Sequence, residues 1–175
     1  MVRIRDLGLG WELKGKSTIT RCARDLSTDG RWGGVQLNSQ DRYCIDGMRL
    51  IAISGRDGKH LTEYKTEIDD GNKYVSFGQI GSGPEYFKVW DKNGFELSYG
   101  LAANARVNIS NNITQWSIST KKDKSNNVIN YKYINDANTL YLKDVYYVGG
   151  SVNFHYQDRD DYIVRFFKGS VNNPT

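Results

Sequence analysis

The side chains in this sequence that could do chemistry are two cysteines, two histidines and a few clustered carboxylates. Cys22 ends "STITRC" and Cys44 sits in "DRYCIDGMRL". A structural zinc site needs about four ligands. Only Cys22, Cys44, His60 and His155 offer sulfur or imidazole, and none stands at Cys-x-x-Cys spacing. A nucleophilic cysteine needs a base and a group that orients the base. Cys44 stands between Tyr43 and Ile45, an apolar strand setting that disfavours a thiolate. Two structural readings remain. One is packing of two small residues at a strand–strand contact. The other is a disulfide, which suits an exported protein. In both, the cysteines mark where the first strand meets the first hairpin.

The other candidates read as structure. His60 lies in the turn "GRDGKH" and His155 in "SVNFHYQ", positions that fit a surface or strand histidine. Glu63 and Glu67 share one face of a strand, and that face reads as solvated rather than as an acid/base pair. Asp158-Arg159-Asp160-Asp161 lacks the spacing and glycine of a calcium loop and reads as a turn. The glycines of "GLGWELKG" have no strand before them and no helix after them, so no phosphate cradle is expected. No cofactor is implied. Trp11, Trp32, Trp90 and Trp116 could stack on sugars if exposed, but a tryptophan alternating into a strand belongs in the core.

Those residues need elements to hold them, and the pattern throughout is β. Period-two alternation with β-branched and aromatic residues recurs along the chain, and helical periodicity is hard to find. Strands are expected near 17–22, 42–45, 49–53, 63–68, 73–78, 86–90, 95–99, 114–121, 128–134, 140–148, 152–156 and 162–167. The segment 23–38 reads as a long loop. Asn93-Gly94 signals a hairpin because both residues tolerate positive φ. Another hairpin is expected to join its arms at Gly47-Met48. "YFKVWDKNGFELSYG" and "TQWSISTKKDKSNNVINYKYI" echo each other and suggest hairpins laid side by side in one sheet. The fold expected is all-β, with antiparallel hairpins forming a sandwich or curved sheet and little or no helix.

The net charge is +4, with lysines and arginines scattered. The densest run, Lys121-Lys122-Asp123-Lys124, reads as a solvated turn rather than a phosphate-binding patch. No nucleic-acid motif is present. No apolar stretch is long enough for a membrane helix, and the first residues lack the apolar run of a signal peptide.

Several motifs in order and spacing resemble one family. They are "GLGWELKGKSTITRC", "DGRWGGV", "DRYCIDGMRLIAISG", "TEYKTEI" and "GPEYFKVWDKNGFELSYG". Together they resemble the SpvB-type amino-terminal domain of Tc toxin B components and SpvB-like bacterial virulence proteins. The match is strong over about residues 7 to 100 and weaker over 115–154. Ala23 departs from it, since the family often has proline after the cysteine.

The resemblance implies a non-catalytic scaffold in a secreted or exported toxin protein, a single SpvB-like domain cut from a longer chain. The implied partners are the remaining domains of the parent chain, a Tc C-like component and a toxin translocation pore. The implied mechanism is containment, a β-rich shell around a toxic payload. The alternative is a module that binds a host glycan or host surface through exposed Tyr and Trp. The motif residues expected to matter are Gly8, Gly10 and Trp11; Cys22 and Cys44; Asp41, Asp46, Gly47 and Arg49; Glu63, Tyr64 and Glu67; and Gly83, Pro84 and Trp90. Tight backbone approach, core packing and buried polar pairing are their expected roles.

Overall fold

Alternating side chains give each strand one face for a core, and here the strands curl until that face is enclosed. The computed structural model describes residues 3–4, 16–157, 165–167 and 170–172. Their strands are β1 Arg3–Ile4, β2 Thr18–Cys22, β3 Arg42–Ile45, β4 Met48–Ser54, β5 Glu63–Thr66, β6 Lys73–Phe77, β7 Tyr86–Trp90 and β8 Glu96–Tyr99. Then come β9 Arg106–Ile109, β10 Asn112–Lys122, β11 Val128–Asp136, β12 Thr139–Tyr147, β13 Gly150–Asn153, β14 Tyr156–Gln157, β15 Arg165–Phe167 and β16 Ser170–Asn172.

Strands β2 to β8 each pair antiparallel with the next. The eleven-residue β10 closes the ring, pairing with β2 through Gln115–Ser117 and with β8 through Ile118–Lys122. The expected curved sheet is therefore an eight-stranded barrel, a size whose interior side chains can just fill. Trp116, Tyr43, Tyr64, Phe87, Ile19 and Ile113 occupy it, all essentially sealed from solvent. The rings of Tyr43, Phe87 and Trp116 meet edge to face, with centroids 5.3 to 5.6 Å apart. That is the geometry aromatic quadrupoles favour.

Strand β10 also carries a second sheet. Register shifts between Ile113 and Gln115 and between Ile118 and Thr120 let it exchange partners along its length. Gln115 and Trp116 lie between β2 and β9, whereas Thr120 to Lys122 lie between β8 and β11. From β11 the sheet continues through β12 to β13. Ala105, Tyr133 and Leu142 form a small core beneath it, and the Tyr133 hydroxyl donates to the Ile118 carbonyl at 2.7 Å. The two similar hairpins of the sequence, β7–β8 and β10–β11, do lie side by side, joined by the β8–β10 pairing. Strand β9 falls between the expected strands and was not anticipated.

Two turns differ in detail from expectation. The β3–β4 turn is Asp46-Gly47, one residue earlier than expected, with φ of 46° and 87°. Both central residues are left-handed, as a two-residue hairpin loop requires. At Asn93-Gly94 only Gly94 has positive φ. There the carboxylate of Asp91 organises the loop, accepting from the amides of Asn93 and Phe95, both at 2.9 Å.

The segment read as a long loop contains one helical turn, α1, Leu26–Asp29. Asp25 caps its start by accepting from the Thr28 amide at 2.7 Å, and left-handed Gly30 ends it. Four residues are too few to show a period, so only the caps could have signalled it. Among the described residues no helix is long and apolar enough to cross a membrane. The strand expected at 162–167 begins outside the described residues, and its last three form β15.

Candidate functional site

Cys22 and Cys44 are joined by a disulfide, with Cα atoms 5.9 Å apart. The simpler packing reading is thereby corrected. Position explains the bond. Cys22 pairs with Arg42 and Thr20 with Cys44, so the cysteines sit diagonally on one face of adjacent strands. They do mark the contact between the first strand and the first hairpin.

That face is the outside of the barrel, and a chain of ion pairs covers it. Arg49, opposite Cys44, reaches the Asp29 carboxylate and lies 3.3 Å from Asp25. Arg42 reaches Asp29 at 2.7 Å and Asp57 at 3.4 Å. Helix α1 is thus tied to the barrel through charge, because it buries none of its own residues. Burial would raise the pKa of Asp29, but hydrogen bonds from Arg49 and Arg42 overcome it and hold that carboxyl at about 2. Burial raises the pKa of Asp57, against the opposing pull of Arg42.

A second cluster seals one end of the barrel. Arg21 alternates inward with Ile19 and donates to the Ile113 carbonyl at 2.7 Å and to the Asp41 carboxylate at 3.0 Å. Asp41 also accepts from the amides of Gln36 and Asn38. Gly83 is needed here, since a Cβ on it would lie 2.5 Å from Arg21 Nη2 and 2.8 Å from the Tyr43 hydroxyl. Pro84 beside it is fully buried. A third buried arginine, Arg106, pairs with Glu85 at 3.2 Å and donates to the Gly100 carbonyl.

The remaining motif residues are dispersed. Asp46 accepts from the Ser17 hydroxyl at 2.5 Å and the Thr18 amide at 2.8 Å, tying the hairpin turn to β2. Tyr64 is buried, and its hydroxyl accepts from the Gly58 amide at 2.8 Å. Glu63 pairs with Lys73 at 2.8 Å. Glu67 is exposed and lies beyond the end of β5, so the strand expected to carry both glutamates ends before it. Trp90 is half-buried on β7. Gly8, Gly10, Trp11 and Asp158 to Asp161 lie outside the described residues.

What can this arrangement do? His60 Nδ1 accepts from the Gly78 amide at 3.0 Å and its ring abuts Phe77, which makes it a packing element. Burial raises the hydroxyl pKa values of Tyr43, Tyr64 and Tyr133, so these phenols stay neutral. Among the described residues no three His, Cys, Asp or Glu side chains converge as metal ligands. A hollow of about 520 Å³ lies off the barrel, against β12 and β13, lined by Ile134, Lys143, Asp144, Asn153, Phe154, His155 and Tyr156. Asp144 there accepts from the Asn153 side-chain Nδ2 at 2.7 Å. The buried arginines Arg21 and Arg106 are absent from the sequence-derived set. For Arg21 the signal was present, because "TITRC" alternates it onto the face of Ile19.

Comparison with solved structures shows which fold the barrel has. The N-terminal domain of effector protein SpvB from Salmonella typhimurium strain LT2 aligns with a TM-score of 0.55 at 18% identity, over 75% of this chain and 51% of that one. The fold is that of the SpvB-type amino-terminal domain. The SpvB-type fold recurs in the TcdB2-TccC3-Cdc42 crystal structure, with a TM-score of 0.59 at 17% identity over 75% of this chain and 7% of that one. It recurs again in the Photorhabdus luminescens Tc holotoxin pore, with 0.56 at 19% identity over 74% and 7%. The chain therefore spans about half of the SpvB chain it matches and a small part of the Tc chains. No family model and no curated protein matches the sequence.

Proposed function

We propose that this chain is a non-catalytic scaffold domain of a bacterial toxin protein, forming part of the wall of a shell that encloses a toxic payload. The observation that carries the reading is the shared fold, found both in the SpvB domain and in Tc toxin assemblies. The barrel interior supports it. It is filled by aromatic side chains and braced by a buried ion pair, which suits a wall better than a binding cleft. The chemistry of a toxin would then reside elsewhere, and the partners of this domain would be other parts of the parent chain and a Tc C-like component. Export of the parent protein agrees with the disulfide.

The test is an immunoblot of the source cells with an antibody raised to this chain, followed by immunoprecipitation. A band far larger than 20.0 kDa that brings down a Tc C-like protein is expected. A band at 20.0 kDa with no such companion would overturn the shell reading. The glycan-binding alternative would then lead, through Trp32, which is 76% exposed in the loop that follows α1.

A further inference from the structure

Two arginines flank the disulfide on the outer face of the barrel. Arg49 stands directly opposite Cys44 in the β3–β4 register, and Arg42 directly opposite Cys22 in the β2–β3 register. Residues opposite one another in a strand pair have Cβ atoms about 4.5–5.5 Å apart, within reach of a long side chain. Arg49 reaches further, because its Nη1 donates to the carbonyl of Ala23, the residue after Cys22, at 3.1 Å. Its side chain therefore starts beside one cysteine and ends at the residue next to the other. Tyr43 and Ile45 belong to the barrel core, and strand alternation turns Cys44 away from them, so the apolar setting read from the sequence is not the one its sulfur faces.

The Arg49 guanidinium is only partly engaged. Its Nη atoms donate to Ala23, Asp25 and Asp29. Its Nε is buried and, among the described residues, has no hydrogen-bond partner, in a side chain only 8% exposed. Nε is the guanidinium nitrogen closest to the Arg49 backbone, and thus stands on the Cys44 side. A neutral sulfur is a weak acceptor there, whereas a thiolate would accept a charge-assisted bond. The two cysteines also differ in access. Cys22 is half-buried at the end of β2, and Cys44 is buried within β3.

We propose that Cys22–Cys44 is a thiol-exchange site rather than a fixed staple, attacked at Cys22 by a glutathione-type thiol and opened with the help of Arg49. The attacking thiolate bonds to the Cys22 sulfur, the S–S bond breaks, and its electron pair leaves on Cys44 as a thiolate that Arg49 Nε receives. A second thiolate attacks the mixed disulfide, leaving Cys22 reduced and the two small thiols joined. Stabilising the departing thiolate speeds the first step, since a better leaving thiol leaves faster. The other charges facing the pair are Arg42 from β3, Asp25 and Asp29 at α1, and Asp57 from the loop after β4. Helix α1 buries none of its own residues and is held by these arginines, so a thiolate competing for Arg49 loosens it. Opening the bond thus frees the 23–41 segment while the β2–β3 ladder stays paired. The inference rests on the disulfide and its arginines, and does not depend on the shell reading.

Equilibrating the whole chain in glutathione redox buffers tests it, with mass spectrometry locating the mixed disulfide and circular dichroism following the fold. The glutathione adduct is expected on Cys22. The reduced chain should stay folded, with faster exchange of the Asp29 and Gly30 amides that close the turn of α1. In the reduced chain, alkylation of Cys44 by iodoacetamide should be half-maximal below the pH of about 8.5 at which a free thiol ionises. Arg49→Met should raise that midpoint by about one pH unit. Asp29→Asn also frees α1 but keeps the guanidinium, so it should leave the midpoint low. Glutathione carried on Cys44, a reduced chain that unfolds, or a Cys44 profile indifferent to Arg49→Met would each overturn the proposal. So would a midpoint that Asp29→Asn raises as far as Arg49→Met does, since a loosened α1 would then be the whole effect.

Discussion

The Arg21 guanidinium lies 3.0 Å from the Asp41 carboxylate, and their side chains are only 1% and 2% exposed. Among the described residues Asp41 is the only carboxylate paired with Arg21, whose Nη2 finds no hydrogen-bond partner there. Asp41→Ala would strand a buried cation, a loss of about 3–5 kcal/mol. Urea denaturation should show it. The double variant Arg21→Met/Asp41→Leu should recover much of that loss, because the desolvation penalty of both ions disappears with them. A double variant no better than Asp41→Ala would show that the pair is not the cause.

The disulfide closes a loop between Cys22 and Cys44, separated by 22 positions. On chain-entropy grounds a loop of that size contributes about 3 kcal/mol. Cys22→Ala/Cys44→Ala, or treatment with reductant, should lower the midpoint of thermal unfolding. Segment 23–38 should become the first site of proteolysis, because the bond at its base is gone. Unchanged melting with and without reductant would contradict this.

Acid should act in opposite directions at two neighbouring carboxyls. Asp29 is held at about 2 against an ordinary 3.8, so its contribution of about 2 kcal/mol is present above pH 4 and fades as pH falls towards 2. Asp29→Asn should remove that contribution at neutral pH and flatten the acid limb of the stability curve. Burial raises Asp57, so its ionised form opposes folding at neutral pH and ceases to do so in acid. Asp57→Asn should raise the melting temperature at pH 7, with the gain shrinking as the pH falls. Calorimetry of both variants across pH checks the two signs together.

Two glycines should respond oppositely to alanine. At Gly83 a Cβ would collide with Arg21 and the Tyr43 hydroxyl, so Gly83→Ala should cost about 1–3 kcal/mol by overpacking. Gly34 has open space around it and no positive φ, so Gly34→Ala should be neutral or gain a few tenths of a kcal/mol through the unfolded chain. Chemical denaturation distinguishes the pair.

Much of the barrel was legible because its signals are local. Gly47 and Gly94 turn where left-handed backbone is needed, although the first turn falls one residue earlier than expected, and alternation in segments such as 42–45 and 86–90 placed the strands closely. Ring closure was not legible. It depends on Trp116 pairing with Ile19, two residues far apart in sequence, and on β10 changing partners at its register shifts. Helix α1 was missed because one turn has no period. Its ties to Arg42 and Arg49 were missed because an arginine on a strand looks alike in sequence whether it faces water or a carboxylate. Of the residues singled out, Cys22, Cys44, Asp41, Arg49, Tyr64 and Gly83 prove to be knit into buried contacts. Glu67 remains on the surface.

The β2–β10 seam also sets an order of events at the ribosome. Strands β2 to β8 emerge first and can zip together hairpin by hairpin, since each pairs with its neighbour in sequence. Yet β2 cannot be joined until β10 has been synthesised, so the nascent barrel stays an open ribbon with a bare edge. Trp116, the largest side chain of the interior, arrives with that last strand. Closure and completion of the core are therefore a single step that waits for β10, and a pause just before residue 116 would prolong the interval in which a growing chain can pair with the wrong strand.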